Sequence, residues 1–314
     1  MVPDAAEFPL VAVAGPTGSG KSDLALAIAQ RFNGEIVNCD SLQVYRHFDI
    51  GTAKLPPGER RDVPHHLIDI LNPDDLFTAG EYARTAREAI QAISRRGRLS
   101  ILAGGTGFYL RALLDGLFEG PSRDQSLRDR LARREGRRAG SLHRLLTRFD
   151  PTTAKKIHPH DVPKVTRALE VCLLSGRPVS ELFREGRDAL GGYRTLKLGL
   201  LPDRDALYER LDQRCAAMFD GGLVEEVRHI LALGYAAESK PFESHGYKQA
   251  LQSIRGELNL REAVFYAQRN TRQYAKRQLT WFRREPGLVW LKGFADTPGI
   301  REQALELVAE FLAA

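Results

Sequence analysis

The chain is poor in sulfur and indole: 314 residues hold three cysteines, two methionines and two tryptophans. Cys39, Cys172 and Cys215 lie far apart, are odd in number and have no metal-ligand spacing. That pattern argues against a disulfide framework and a zinc site, and points to a reduced, cytoplasmic compartment. No apolar run approaches the roughly 18 residues a membrane-spanning helix needs, so no membrane role is expected. The opening stretch MVPDAAEFPL lacks a basic region ahead of an apolar one, so a secretory leader is not expected and residues 1–7 read as a loose tail. Internal repeats and low-complexity segments are missing as well. What remains is ordinary for a globular protein, with 43% hydrophobic and 27% charged residues. The length suggests about two domains.

Charge is distributed unevenly. Lys and Arg number 46 against 40 Asp and Glu, but residues 121–187 alone carry 16 against 8. The rest, with 30 against 32, is close to neutral. A basic segment on a neutral body suggests a local contact with a polyanion, although an Arg-rich solvated helical surface would read the same way.

Apolar runs at 10–14, 35–39, 99–103, 195–201 and 288–291, with a shorter one near 67–70, read as buried strands. Helical periodicity fills the intervals, as at 79–96 and 205–233. Strand–helix alternation predicts an α/β fold with a parallel sheet. The stretch 119–188 differs: its apolar spacing is helical and it is broken by Gly136, Gly140, Pro151, Pro159, Pro163 and Gly176-Arg177-Pro178. It reads as an all-helical insertion, leaving 1–118 and 189–314 as the core, the latter part mostly helical.

The run Gly15-Pro16-Thr17-Gly18-Ser19-Gly20-Lys21-Ser22 follows the first strand and precedes a helix-compatible stretch. In that context it is a phosphate-binding loop: glycines let backbone N–H groups curl around an anion at a helix N-terminus. Lys21 would reach terminal phosphates and the Ser22 hydroxyl would ligate Mg²⁺. The second strand ends in Asp40-Ser41, at the sheet edge where the loop lies. A carboxylate there can ligate Mg²⁺, accept a substrate proton, hydrogen-bond a ribose or cap the next helix. The strand at 99–103 ends in Gly104-Gly105-Thr106, where a phosphotransfer ATPase would usually place a Mg²⁺-ligating Asp. Asp69 keeps that option open. Further on, Arg269, Arg272, Lys276 and Arg283 fall on one helical face suited to a nucleic acid backbone. Tyr274, Trp281 and Phe282 read as core residues.

Taken together, GPTGSGKS (15–22), DSLQVYRHFDIGTAK (40–54), HHLIDI (65–70), GGTGFYLRALL (104–114), HPHDVPKVTRALEV (158–171), GLVEEV (222–227), GYKQ (246–249) and NTRQYAKRQLTWFR (270–283) resemble the tRNA isopentenyl-transferase family in order and over nearly the whole chain. The resemblance implies a P-loop α/β core with an inserted helical domain. It also implies transfer of a dimethylallyl group from dimethylallyl diphosphate to N6 of adenosine 37 in tRNA. By it, residues 15–22 hold the diphosphate with Mg²⁺ at Ser22, Asp40 is the general base, and Thr106 contacts the target nucleotide. Arg214 is implied on the diphosphate side, with Arg210 the competing alignment. Contacts to the tRNA anticodon stem-loop are implied for Asp40, Ser41, Leu42 and Gln43, for Pro163, Lys164, Val165, Thr166 and Arg167, and for Ser244, His245, Gly246, Tyr247, Lys248 and Gln249. Pro163-Lys164 and Ser244-His245 depart from the family pattern. A monomer is expected. A small-molecule or nucleotide kinase, or an RNA binder with a vestigial loop, are the competing readings.

Overall fold

A computed structural model of the chain describes residues 7–118, 120–186 and 188–314. The expected N-terminal tail lies outside the described residues except for Glu7, as does the expected domain boundary at 119.

Six strands make one parallel sheet in the order β3-β2-β4-β1-β5-β6. β1 (Phe8–Ala14) leads into α1 (Lys21–Arg31), then β2 (Gly34–Asn38), the two-residue β3 (His65–His66), α2 (Ala79–Arg95), β4 (Leu99–Ala103) and α3 (Gly107–Leu114). Five helices follow: α4 (Gln125–Arg137), α5 (Ser141–Phe149), α6 (Pro151–Ala154), α7 (Val162–Ser175) and α8 (Val179–Leu182). The chain then gives β5 (Tyr193–Leu200), α9 (Arg204–Asp220), α10 (Leu223–Ala232), α11 (Tyr247–Ile254), α12 (Leu260–Phe282), β6 (Leu288–Leu291) and α13 (Ile300–Ala313).

The sheet's interior follows from composition. Residues Leu10 through Ala14 are buried, as a strand covered by helices on both faces must be. α1 and α13 pack on the sheet through Leu24, Ile28, Ala304 and Val308. Start signals are local: the Thr78 side chain accepts from the Glu81 amide while Glu81 reaches back, and Asn259 and Glu262 repeat the arrangement at α12.

Two expectations shift, and the strand order adds a third feature. The strand near 67–70 is instead His65–His66, because Leu67 and Asp69 take left-handed φ of 62° and 57°, which a strand cannot hold. The helix over 205–233 is two helices, broken at Gly221 and at Gly222, whose φ is 98°. β2 does not neighbour β1, since β4 pairs with both.

The chain divides into two compact units, residues up to Leu113 together with Leu190–Ala314, and Leu114–Ala189. Among its described residues the second unit contains helices and no strand. Its core is built on Leu142, Leu146, Val165 and Leu169, and the unit also buries two carboxylates, Asp150 and Glu170. Glu170 accepts hydrogen bonds from Arg128 at 2.8 Å, Arg167 at 2.6 Å and the Asp124 amide at 2.8 Å. Those donors hold its carboxyl down at about 2 even though burial alone would raise it.

Candidate active site

At the carboxyl edge of the sheet three loops lie side by side, one each from β1, β4 and β2. The first is the glycine turn, and its glycines are required. Gly18 and Gly20 hold φ of 78° and 90°, and a Cβ on either would sit 2.7 Å from Leu211 or Ala295. The turn closes on itself as well: the Ser19 hydroxyl and the Lys21 ammonium both donate to the Pro16 carbonyl at 2.8 Å. Two hydrogen bonds fasten it outward among the described residues. The Thr17 amide donates to Gln278 Oε1 at 2.8 Å, and the Ala295 amide donates to the Ser19 carbonyl at 3.0 Å.

The loops from β4 and β2 are locked to each other. A Cβ on Gly104 would lie 2.1 Å from the Cys39 carbonyl oxygen, so the chain after β4 passes directly over the end of β2. The Thr106 amide donates to that same carbonyl, and the Thr106 hydroxyl accepts from the Ser41 amide at 3.1 Å. Asp40 starts a turn, not a helix: its Oδ1 accepts from the Leu42 amide at 2.9 Å, and its own amide donates to Asn38 Oδ1 at 3.0 Å. The helix-cap alternative for Asp40 therefore has no helix to cap. Among the described residues Asp40 Oδ2 has no hydrogen-bond partner and Asp40 makes no ion pair.

Charge converges on this edge. Burial pulls the Lys21 ammonium down to about 8; the Asp40 carboxylate opposes that shift and the Arg214 guanidinium adds to it. Arg214, in α9, is lowered by burial while Asp40 and Asp23 resist, and among the described residues it makes no ion pair. Arg210, by contrast, makes a two-pronged contact with Asp296 at 3.1 and 3.0 Å and lies over Phe294. Of the two alignments, Arg214 is the one that shares an electrostatic environment with Lys21 and Asp40. The Tyr274 phenol from α12 is pushed up by burial and by Asp40, and stands against Thr106. It therefore belongs to this site. Cys39, buried beneath it, is pushed up to about 12 by burial and is no nucleophile.

Asp69 has a different job. It pairs at 2.6 Å with the buried Lys54 ammonium, which also donates to the Tyr45 carbonyl and pairs with Asp49. The loop 40–54 is thus wound around a lysine, and Asp69 is committed to holding it. Ser22 is exposed at the second position of α1, and no cluster of three or more acidic, His or Cys side chains suited to a metal occurs among the described residues. A Mg²⁺ ion here would find one protein oxygen, the Ser22 hydroxyl, and would need its remaining ligands from a bound diphosphate and water.

The stretches implied to contact tRNA divide by exposure. Pro163 and Lys164 are exposed; Thr166 and Arg167 are half-buried, with Arg167 engaged by Glu170. Val165 is in the core of the helical unit. Lys248 is exposed, and Ser244 and the half-buried His245 flank it, whereas Tyr247 and Gln249 are buried. Tyr247 donates to Glu226, and Gln249 accepts from the Gly246 amide at 3.0 Å. The side chains of Val165, Tyr247 and Gln249 hold their segments in place and do not face solvent.

Two features were not singled out in the sequence. A cavity of about 300 Å³ is lined by Arg111, Lys276, Arg277, Thr280, Trp281 and Arg284, and the buried Trp281 indole N–H has no partner in it. Trp281 and Tyr274 are half-buried, so of the three aromatics read as core only Phe282 is fully so. The second feature is a cavity of about 400 Å³ in the helical unit, lined by Arg130, Arg133, Arg134, Arg137 and Arg138 with Ser141. The i, i+3, i+4, i+7 spacing of the first four in α4 was the available signal.

The IPP transferase family model matches residues 43–285. The chain belongs to the IPP transferase family. A tRNA dimethylallyltransferase of Solibacter usitatus is 79% identical over 305 residues, covering 97% of this chain and 99% of that protein. One from Koribacter versatilis is 54% identical, covering 95% and 97%. Among solved structures, a tRNA isopentenylpyrophosphate transferase from Bacillus halodurans superposes with a TM-score of 0.71 at 35% identity, covering 98% of this chain and 97% of that one. A eukaryotic dimethylallyltransferase acting on tRNA superposes with a TM-score of 0.85 at 30% identity, covering 98% and 80%. The family thus has this parallel-sheet architecture, and the glycine turn lies ahead of the matched segment.

Proposed function

We propose that the chain transfers a dimethylallyl group from dimethylallyl diphosphate to N6 of adenosine 37 in tRNA, releasing diphosphate. The observation that carries this reading is the grouping at the sheet edge: Asp40, whose second carboxylate oxygen has no hydrogen-bond partner among the described residues, shares one electrostatic environment with the phosphate-loop Lys21 and with Arg214, which makes no ion pair among them. A carboxylate beside two cations suits a reaction that takes a proton at one end and releases an anion at the other.

In the step, the N6 nitrogen forms a bond to the allylic carbon as the carbon–oxygen bond to diphosphate breaks, and an N6 proton passes to Asp40. N6 is a weak nucleophile because its lone pair is delocalised into the purine. A positioned general base supports its attack by a factor of roughly 10²–10⁴. The allylic carbon tolerates developing positive charge, so the greater demand is on the departing diphosphate. The turn amides other than those of Thr17 and Ser19, which are engaged within the protein, would meet that charge together with Lys21 and Arg214. Ser22 would hold a Mg²⁺ ion, which would supply further neutralisation of the leaving group's charge. Thr106 and Tyr274 stand beside Asp40 where the base would be received once it leaves the anticodon-loop stack. The arginine-lined cavity of the helical unit and the cationic cavity beside Trp281 offer contacts to RNA phosphates. The setting is a cytoplasmic monomer acting on the anticodon stem-loop.

Incubation of the full chain with unmodified tRNA and dimethylallyl diphosphate, followed by digestion and nucleoside mass analysis, tests this directly. The expected product is an adenosine heavier by one prenyl unit, mapped to position 37. An unchanged adenosine, or phosphate transfer from ATP in its place, would overturn the reading.

A further inference from the structure

Gln278 lies in α12, 261 residues from Thr17 and 173 from Gly105, yet its side chain joins both. Its Oε1 accepts from the Thr17 amide at 2.8 Å and its Nε2 donates to the Gly105 carbonyl at 2.9 Å. The side chain is buried, and a Cβ on Gly105 would stand 2.3 Å from Nε2, so the contact is close by construction. A carboxamide carries an acceptor and a donor on one carbon, and the N–H on one side and C=O on the other fix its orientation.

We propose that Gln278 is a positioning residue that sets the separation between the leaving-group loop and the acceptor side of the site. The connection runs through bonded contacts. From Thr17 in the glycine turn it passes to Gln278, then to Gly105 and its neighbour Thr106, whose hydroxyl accepts from the Ser41 amide next to Asp40. Trp281, one turn further along α12, presses on Gly107, where a Cβ would lie 2.2 Å from its ring. The same helix therefore braces the β4 loop at two points. Transfer joins a carbon held by one loop to a nitrogen held at the other, and a displacement of about 1 Å in such an arrangement costs on the order of 10²-fold in rate. A strut that fixes that distance acts on the chemical step and leaves each substrate's own binding contacts in place.

This inference rests on the prenyl-transfer reading, and the experiment separates the two. Single-turnover prenyl transfer to tRNA is measured for wild type, Gln278→Met and Gln278→Glu, alongside separate dissociation constants for inorganic diphosphate and for tRNA. Gln278→Met keeps the volume and loses both bonds. Its transfer rate is expected to fall roughly 10- to 100-fold, with both dissociation constants within about threefold of wild type. Gln278→Glu keeps the acceptor for Thr17, but as a carboxylate it opposes the Gly105 carbonyl, and only its protonated form restores the donor. Its rate relative to wild type is therefore expected to rise as pH falls from about 8 to about 6, burial having raised its pKa. A Gln278→Met rate within about twofold of wild type, both dissociation constants weakening in step with the rate, or a flat pH ratio for Gln278→Glu would overturn the proposal. If Gln278→Met does not fold, the Gln278→Glu pH ratio decides alone. Absence of transfer by wild type would instead overturn the functional reading, and this inference with it.

Discussion

Asp40 and Lys21 sit within one field, and each makes a separate prediction. If Asp40 takes the N6 proton, Asp40→Ala lowers the single-turnover transfer rate by roughly 10²–10⁴-fold while tRNA affinity is nearly retained. A wild-type rate in that variant would remove Asp40 from the mechanism. Lys21 is held at about 8 by burial, against the pull of Asp40. The sign follows: the ammonium is the form that grips an anion, so donor affinity is expected to be level below neutral pH and to fall as pH rises through 8. Bound diphosphate stabilises the charged form, so binding at about pH 8.5 should take up protons. Calorimetry in buffers of different ionisation enthalpy measures that uptake; no buffer dependence would show that Lys21 does not contact the anion. The glycine turn and Asp40 were legible in the sequence because their residue types carry their chemistry. Tyr274 was not, because an aromatic at helical spacing reads as core whether it faces a core or a site. Gln278 was not, because its two partners are set by the sheet order and have no trace near it in sequence.

At the level of elements, α4 carries four arginines on one face, and with Arg138 they surround a cavity without a carboxylate partner among the described residues. Like charges at that spacing repel, and an RNA backbone relieves them. Replacing Arg130, Arg133, Arg134 and Arg137 by Glu is expected to weaken tRNA binding and flatten its dependence on salt. An unchanged slope of log affinity against log salt would make the face a solvated surface only. Glu170 is the counterpart inside the same unit. Its carboxyl is held at about 2, well below the ordinary 4.5, so its contribution is present above pH 4.5 and is lost as pH falls toward 2. Glu170→Ala should therefore destabilise the full chain by about 3 kcal/mol at neutral pH, since it strands Arg128 and Arg167, and by less at about pH 3. Denaturant titrations at the two pH values check this; an equal loss at both would assign the effect to packing. The main strands and long helices were readable from periodicity. The errors came where backbone conformation overrode it, at Leu67 and Asp69 in the left-handed region and at the Gly221-Gly222 break.

Across the whole molecule, the prenyl-transfer reading gives a loop of the kind that ordinarily serves nucleoside triphosphates to a reaction that needs none. The fold class was visible in the alternation of strands and helices. The order of the strands was not, and that order brings the ends of β1, β4 and β2 together although 90 residues separate Ala14 from Gly104 in the sequence. The family membership fits this division, with the core edge supplying the chemistry and basic surfaces available for RNA. The central claim is that the loop at 15–22 holds a leaving group and never delivers a phosphate. The direct measurement is the stoichiometry of a single turnover with tRNA, dimethylallyl diphosphate and Mg²⁺. The account predicts one inorganic diphosphate released for each adenosine prenylated, with ATP neither consumed nor required. Prenylation that depends on ATP hydrolysis, or diphosphate release without modified adenosine, would contradict it.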